Sequence, residues 1–272
     1  MKKIIDYFDK PPKNLSVKHL AKLAIFETIV VKKEKVETNY YNRVGVKETL
    51  LVIFNHCCAY CESRVSQYDA IEHFRPKSET TYFWLGVSWS NLLIACQNCN
   101  GMKSDLFEIE GTKAVLPIYR DWADFAVQTH IRATIFASEQ AKMLHPVLDE
   151  PNDHLLFEEN GTVCPKTLRG QYFIECCALS DFKKRPILIQ DRQIIVERFR
   201  NILKTYEIIE DVTVLNQLLA NLLLNMMDGI EKYPFSAVYR ACFEHFEAFF
   251  ISKFEQPYQS RLRQAYQTLV FG

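Results

Sequence analysis

Cys58-Ala59-Tyr60-Cys61 and Cys96-Gln97-Asn98-Cys99, with Glu72-His73-Phe74-Arg75-Pro76-Lys77 between them, decide how this chain is read. A two-residue gap lets a tight turn aim both cysteine sulfurs at one ion, and thiolates are preferred soft ligands of zinc. Two such turns supply four sulfurs, a closed tetrahedral site with no position left for a catalytic water. Zinc ribbons usually separate their pairs by about 15–20 residues. Here residues 62–95 intervene, so the ion would clip a long structured insert. Cys57 could replace Cys58 with a three-residue gap, but is expected to point into the core. His56 is not expected to be a ligand, because four sulfurs already satisfy the ion. The scattered Cys164, Cys176, Cys177 and Cys242 lie in apolar surroundings and are expected to fill the core as small hydrophobes.

Outward from this frame, 272 residues that are 48% hydrophobic and 24% charged exclude wholesale disorder. No run of 18 apolar residues occurs, so no membrane-spanning helix is expected. Met1-Lys2-Lys3-Ile4-Ile5-Asp6 lacks the apolar stretch of a secretory signal, and a cytoplasmic location is expected. The formal charge is zero, with 33 basic and 33 acidic residues, although residues 1–49 alone carry 11 Lys and Arg against 6 Asp and Glu. A neutral total argues against a free-standing, tight nucleic-acid binder, whose affinity comes largely from neutralised phosphates. It leaves room for a locally basic cleft or a partner that supplies the grip.

Three regions are expected. Residues 1–49 form an N-terminal helical segment: after Pro11-Pro12, Leu20, Leu23, Ala24, Phe26 and Ile29 recur at helical spacing, closed by the solvated run Lys32-Lys33-Glu34-Lys35. Residues 50–120 carry the chemistry. Lys47–Asn55 reads as a short amphipathic helix leading into the cysteines, Ala70–Phe74 as a strand, Trp89–Ala95 as a loop and buried segment, and Cys99–Ser104 as the start of a helix. Residues 121–272 read as mainly helical. Asn160-Gly161 marks a hairpin turn between short strands, and helical periodicity runs over residues 187–209, 212–227 and 237–254. The fold class is α+β, mainly α.

The order C-x2-C, acid-His, Asn-Leu, C-x2-C and then Asn100 and Lys103 resembles the HNH nuclease motif with its structural zinc. That resemblance implies a ββα-metal unit, a two-stranded hairpin packed on a helix, over residues 58–103. A weaker likeness extends further. Glu72–Lys77, Trp89-x-Asn91-Leu92-Leu93 and Leu148-Asp149-Glu150-Pro151-Asn152-Asp153-His154-Leu155 are similar to the PtuB-like family. Its members are HNH partners of a PtuA-like ABC-type ATPase in Septu and retron-linked antiphage systems. The resemblance therefore implies a nucleic-acid substrate, DNA or RNA, an ATPase partner and, in the retron-linked members, a reverse transcriptase.

Phosphodiester hydrolysis needs an activated water and a cation to stabilise charge building on the phosphate. His73, neutral near pH 7, is the candidate general base. The resemblance implies that Glu72 and Asn100 hold the catalytic ion; a carboxylate and an amide are hard ligands that suit Mg²⁺ or Mn²⁺ rather than zinc. On an ideal strand Glu72 and His73 face opposite ways, so a bend or bulge is expected if both serve one site. Asn91, by resemblance, is the middle Asn whose amide holds the loop that orients His73, with a helix cap as the lesser alternative. Arg75 and Lys103 are candidates to hold the scissile phosphate, or ordinary surface charges. Asp149, Asp153 and His154 look like a second carboxylate–His cluster but are expected to be structural.

A metal-dependent HNH endonuclease is the leading expectation. The alternative is a zinc-stabilised nucleic-acid or partner-binding module without activity, which would have no need for Glu72, His73, Asn91 and Asn100 together. A third reading is an assembly subunit whose cutting stays silent until the partner ATPase responds.

Overall fold

In the computed structural model, residues 45–78, 82–117 and 131–271 are described, together with Tyr7, Pro12, Leu15, Ile29, Lys32 and Tyr41. Apart from Ile29 and Lys32, the expected N-terminal helix and its lysine run lie outside them. The chain divides into two compact units, Lys3–His154 with Pro165–Cys177, and Met1–Lys2 with Leu155–Cys164 and Ala178–Gly272. Residues 131–154, grouped with the helical region in the sequence reading, thus belong with the zinc-clipped segment.

In the first unit, helix α1 (Val46–Ile53) starts at Gly45, whose φ of 100° suits glycine, and Glu48 reaches back to the Gly45 N–H. Val46, Leu50 and Leu51 form its buried face. Strands β1 (Ala70–His73) and β2 (Leu92–Ala95) pair antiparallel in a strict register, Ala70 opposite Ala95, Ile71 opposite Ile94, Glu72 opposite Leu93 and His73 opposite Leu92. The expected bulge is absent from this ladder, and Glu72 and His73 therefore project to opposite faces. All four residues of β2 are buried, as its unbroken apolar run requires.

Helix α2 (Gln97–Lys103) follows β2 directly, two residues earlier than the sequence reading puts it. Cys96 caps it, its sulfur accepting from the Cys99 N–H at 3.4 Å. A short helix α3 (Pro151–His154) ends the unit's first stretch, and α4 (Leu168–Cys177) packs on α2. Gly170 permits α4 to approach, since a Cβ there would sit 2.1 Å from the His154 carbonyl oxygen. Arg169 on α4 grips Asp149 with both terminal nitrogens, at 2.7 and 2.8 Å. That pairing gives Asp149 a structural role; Asp153 is on α3, and His154 bonds Thr167 at 2.8 Å.

The second unit opens with β3 (Leu155–Phe157) and β4 (Val163–Pro165), joined by the Asn160-Gly161 turn with Gly161 at φ 84°. Helices α5 (Pro186–Thr205), α6 (Val212–Lys232), α7 (Ser236–Glu244), α8 (Phe246–Phe249) and α9 (Tyr258–Phe271) follow. Pro186 sits in the first turn of α5, and Asp211 caps α6 through the N–H groups of Thr213 and Val214. The expected span 237–254 breaks after Glu244, and α9 was not anticipated. Cys176, Cys177 and Cys242 fill the core as expected, whereas Cys164 is exposed. No helix among the described residues is long and apolar enough to cross a membrane.

Candidate active site

The first cysteine pair forms a tight knuckle. The Glu62 N–H returns to the Cys58 carbonyl at 3.0 Å, the Cys58 N–H to the Ser63 carbonyl at 2.8 Å, and Glu62 takes φ 62° to close the turn. The Ala59 N–H, on the Ile94 carbonyl at 2.9 Å, bolts the knuckle to β2. The second pair is delivered by the cap and first turn of α2. Together Cys58, Cys61, Cys96 and Cys99 bring one sulfur each within 4.8 Å of all the others. The Cys61–Cys96 sulfurs are 3.7 Å apart, which matches the edge of a tetrahedron whose zinc–sulfur bonds are about 2.3 Å. Zinc needs thiolates, and two of the four already favour that form. Hydrogen bonds from the Cys58, Cys96 and Cys99 thiols hold Cys61 well below the usual thiol value, and bonding with Cys58 helps bring Cys96 down to about 7. The cluster fits a structural zinc.

Cys57 turns away, its thiol on the Asn55 carbonyl at 3.3 Å, and His56 is exposed. Sequence reasoning missed Cys177, whose thiol on α4 bonds that of Cys99. Nothing in its spacing could have flagged it.

His73 ends β1 and is buried. Its Nε2 lies 3.1 Å from the Gly86 carbonyl oxygen. A carbonyl only accepts, so Nε2 carries the hydrogen and Nδ1 keeps its lone pair. The Tyr41 ring meets the imidazole edge-on at 4.6 Å. Burial pushes the His73 pKa down to about 3, so the ring is neutral at pH 7.

Asn91, fully buried at the end of the 3-10 turn Trp89–Asn91, clamps the chain beyond His73. Its Oδ1 accepts from the Arg75 N–H at 2.8 Å, its Nδ2 donates to the Arg75 carbonyl at 3.0 Å, and its own carbonyl takes the Phe74 N–H at 2.9 Å.

On the opposite face of β1, the Glu72 carboxylate meets the Lys103 ammonium at 2.7 Å and the Tyr60 hydroxyl at 3.4 Å. Burial raises the Glu72 pKa, although Lys103 opposes the rise. Lys103 is itself 0% exposed and also donates to the His73 carbonyl at 3.1 Å, tying α2 to the strand. Asn100 lies one turn before Lys103 on α2 and makes no side-chain hydrogen bond among the described residues. Glu72 and Asn100 offer hard oxygens, but the one carboxylate already carries an ammonium. As placed, the pair is no ready-made divalent site.

The phosphate-holding candidates are spent elsewhere. Lys103 is committed to Glu72. Arg75 is buried, its guanidinium 2.7 Å from Glu139 and 3.6 Å from the centroid of the Phe136 ring. Both expectations came from treating these cations as surface groups, and long side chains with apolar stems bury readily when a carboxylate waits inside. A cavity of about 460 Å³ opens beyond Phe74 and Arg75, lined also by Phe136, Met143, His145 and Arg169; His73 is not in its wall.

Residues 58–106 match the model of the HNH endonuclease family, and that span holds the four cysteines, Glu72, His73, Asn91, Asn100 and Lys103. The four-cysteine segment is thus similar to an HNH endonuclease domain over those residues. The chain is 31% identical over 211 residues to Septu protein PtuB of Bacillus mycoides (strain KBAB4), covering 71% of this chain and 64% of that relative. It is 29% identical over 153 residues to a Septu protein PtuB of Bacillus thuringiensis, covering 55% of this chain and 46% of the relative. It is also 24% identical over 196 residues to Septu protein PtuA of B. mycoides (strain KBAB4), 67% of this chain but 25% of that longer one. The chain thus spans less than two thirds of each curated relative named here. No solved structure matches it.

Proposed function

We propose that this chain is the nuclease of a Septu-type antiphage defence system, hydrolysing nucleic-acid phosphodiester bonds through its HNH domain. The observation that carries the reading is the geometry of His73 inside the family match: its Nε2–H is engaged by the Gly86 carbonyl, which leaves Nδ1 as the ring nitrogen able to take a proton from water. Asn91 keeps the chain beyond His73 in place, and Lys103 ties the strand to the helix that bears Asn100. Four thiolates and one zinc hold the two ends of the insert together without taking part in the reaction.

The finer reading adds a divalent ion, Mg²⁺ or Mn²⁺; for Glu72 and Asn100 to hold it beside His73, the Lys103 ammonium would have to release the carboxylate and the regular β1 strand would have to bend. It also adds a PtuA-like ATPase partner. The similarity to PtuA supports that partner, because a stretch resembling this chain occurs within a longer protein of that name. A formal charge of zero supports it too, since the grip on phosphates must then come partly from elsewhere. None of the relatives named above is a reverse transcriptase, and the reading does not include the retron.

A second reading is favoured by one observation, the buried Glu72–Lys103 pair: a zinc-stabilised binding module whose nuclease centre is silent. Plasmid, single-stranded DNA and tRNA incubated with the protein, with and without Mg²⁺, separate the two. Cleavage that is lost in His73→Ala supports the nuclease; cleavage that survives the substitution removes His73 from the mechanism; binding without cleavage selects the module.

A further inference from the structure

One buried acid outside the HNH match has no part in the site as drawn so far. Glu139 closes the 3-10 turn Ala137–Glu139 and is 0% exposed. Its Oε2 accepts from Arg75 through Nε at 2.7 Å and Nη2 at 2.7 Å. Its Oε1 accepts from the Tyr82 hydroxyl at 2.7 Å and the Ala114 N–H at 3.0 Å. Both oxygens of a carboxylate with no access to water are thus satisfied by two donors each, the condition under which a buried charge is tolerated.

Arg75 and Tyr82 belong to the two segments that hold the imidazole. Arg75 follows His73 by two residues, and Asn91 grips its backbone on both sides. Tyr82 precedes the 3-10 turn Phe83–Val87, whose Gly86 carbonyl takes the Nε2–H of His73. Glu139 therefore joins the leg that carries the His73 backbone to the leg that carries its ring partner. The Arg75 guanidinium is kept on course by Phe74, Phe107 and Phe136, at 5.5, 5.2 and 3.6 Å from the ring centroids.

We propose that Glu139 is a positioning residue of the nuclease site, a carboxylate staple that fixes the orientation and tautomer of His73 from 66 residues away in sequence. The inference rests on the reading of His73 as the base. Without the staple, the Asn91 amide, bonded to Arg75 and at 3.4 Å to the Leu85 carbonyl, is left as the side-chain link between the two legs, and the bond from His73 to the Gly86 carbonyl that keeps Nδ1 free is loosened. A displacement of about 1 Å at a base costs on the order of a hundredfold in rate.

The test uses the full chain as Glu139→Gln, which keeps the volume but loses the charge and one acceptor. A second variant, Arg75→Met with Glu139→Met, replaces the pair by apolar groups and leaves no uncompensated buried charge. Each is first checked for zinc content and a cooperative melt. In cleavage assays well below the melting point, kcat is expected to fall on the order of a hundredfold with KM unchanged. Nitrogen-15 spectra of the histidine rings, with His73→Gln to assign the signal, are expected to show the Nε2–H form in the wild type and a tautomer mixture in the variants. A folded, zinc-loaded Glu139→Gln protein with wild-type kcat overturns the proposal. If the wild type cuts nothing, the nuclease reading has failed, and the ring spectrum alone decides: a changed tautomer upholds the staple, an unchanged one overturns it. Tyr82→Phe, which removes a single tether, supplies the same two readouts if neither variant folds.

Discussion

The zinc knuckles and the cradle of His73 lie on the same short hairpin and are built in opposite ways. Each knuckle is local: two cysteines, a tight turn and backbone N–H groups within a few residues of the sulfurs. The cradle is assembled from distant pieces, with Gly86 on the ring, Asn91 on the following backbone, Lys103 on the His73 carbonyl and Glu139 behind Arg75. A local device tolerates change elsewhere and fails when its own residues are lost. A distributed one fails by degrees, as each piece is lost. A four-sulfur cluster that fits zinc thus marks the frame, while packing sets the surroundings of His73.

Removing the zinc has the largest expected effect on this contrast. Chelation, or Cys61→Ser, should abolish cooperative folding of the zinc-clipped unit, because binding free energies on the order of 10 kcal/mol or more are folding free energy in such sites. Calorimetry with and without chelator checks this, and an unchanged melt would break the division between frame and cradle. Lys103→Met comes next. It leaves Glu72 buried without its cation and should cost about 3–5 kcal/mol in denaturant unfolding. A loss below about 1 kcal/mol would mean that Glu72 finds water or another partner.

Asn91→Ala removes the donors and acceptor that satisfy the Arg75 backbone, at about 1–3 kcal/mol for the groups left bare. His73→Ala leaves the Gly86 carbonyl unpaired at a similar cost of about 1–3 kcal/mol, yet should also remove about 10²- to 10⁴-fold of any cleavage rate. If Asn91→Ala lost stability but kept full activity, its clamp would serve the fold alone.

The effect that is smallest at neutral pH is a pH dependence at His145. Burial pushes its pKa from the ordinary 6.5 down to about 3, with Arg75 and Arg132 lowering it and Asp149 raising it. The unfolded chain therefore binds a proton that the folded chain refuses between about pH 6.5 and 3. Folding stability linked to this group is complete above about pH 6.5 and declines as the pH falls toward 3. His145→Gln should flatten the acid limb of stability against pH; an unaltered limb would assign that limb to other groups.

Much of the frame was legible. The paired cysteines, the hairpin strands, the Asn160-Gly161 turn and the helices after Pro186 follow from spacing, turn chemistry and periodicity, all of which act over a few residues. The α9 helix was not read, although Tyr258, Leu262, Ala265, Tyr266 and Leu269 recur at helical spacing, because small Ala265 and the amphipathic tyrosines dilute that stripe among Gln, Arg and Ser. At the site, the identities of Glu72, His73, Asn91 and Asn100 could be picked out, but their directions could not. Arg75 and Lys103 looked like surface cations, since no local pattern announces that a lysine will be sealed against a carboxylate 31 residues earlier.

What the sequence determined by itself is the set of four sulfurs and the soft-metal chemistry they suit, since two-residue gaps and thiol softness belong to the cysteines wherever the rest of the chain goes. Only the tertiary structure decided which way Glu72 and His73 face, which nitrogen of the imidazole is free, and that Glu139 stands behind both supports of the ring. Those outcomes depend on strand register and on the burial of charges brought together across 31 and 64 residues. Desolvation and pairing of that kind exist only once the chain has packed.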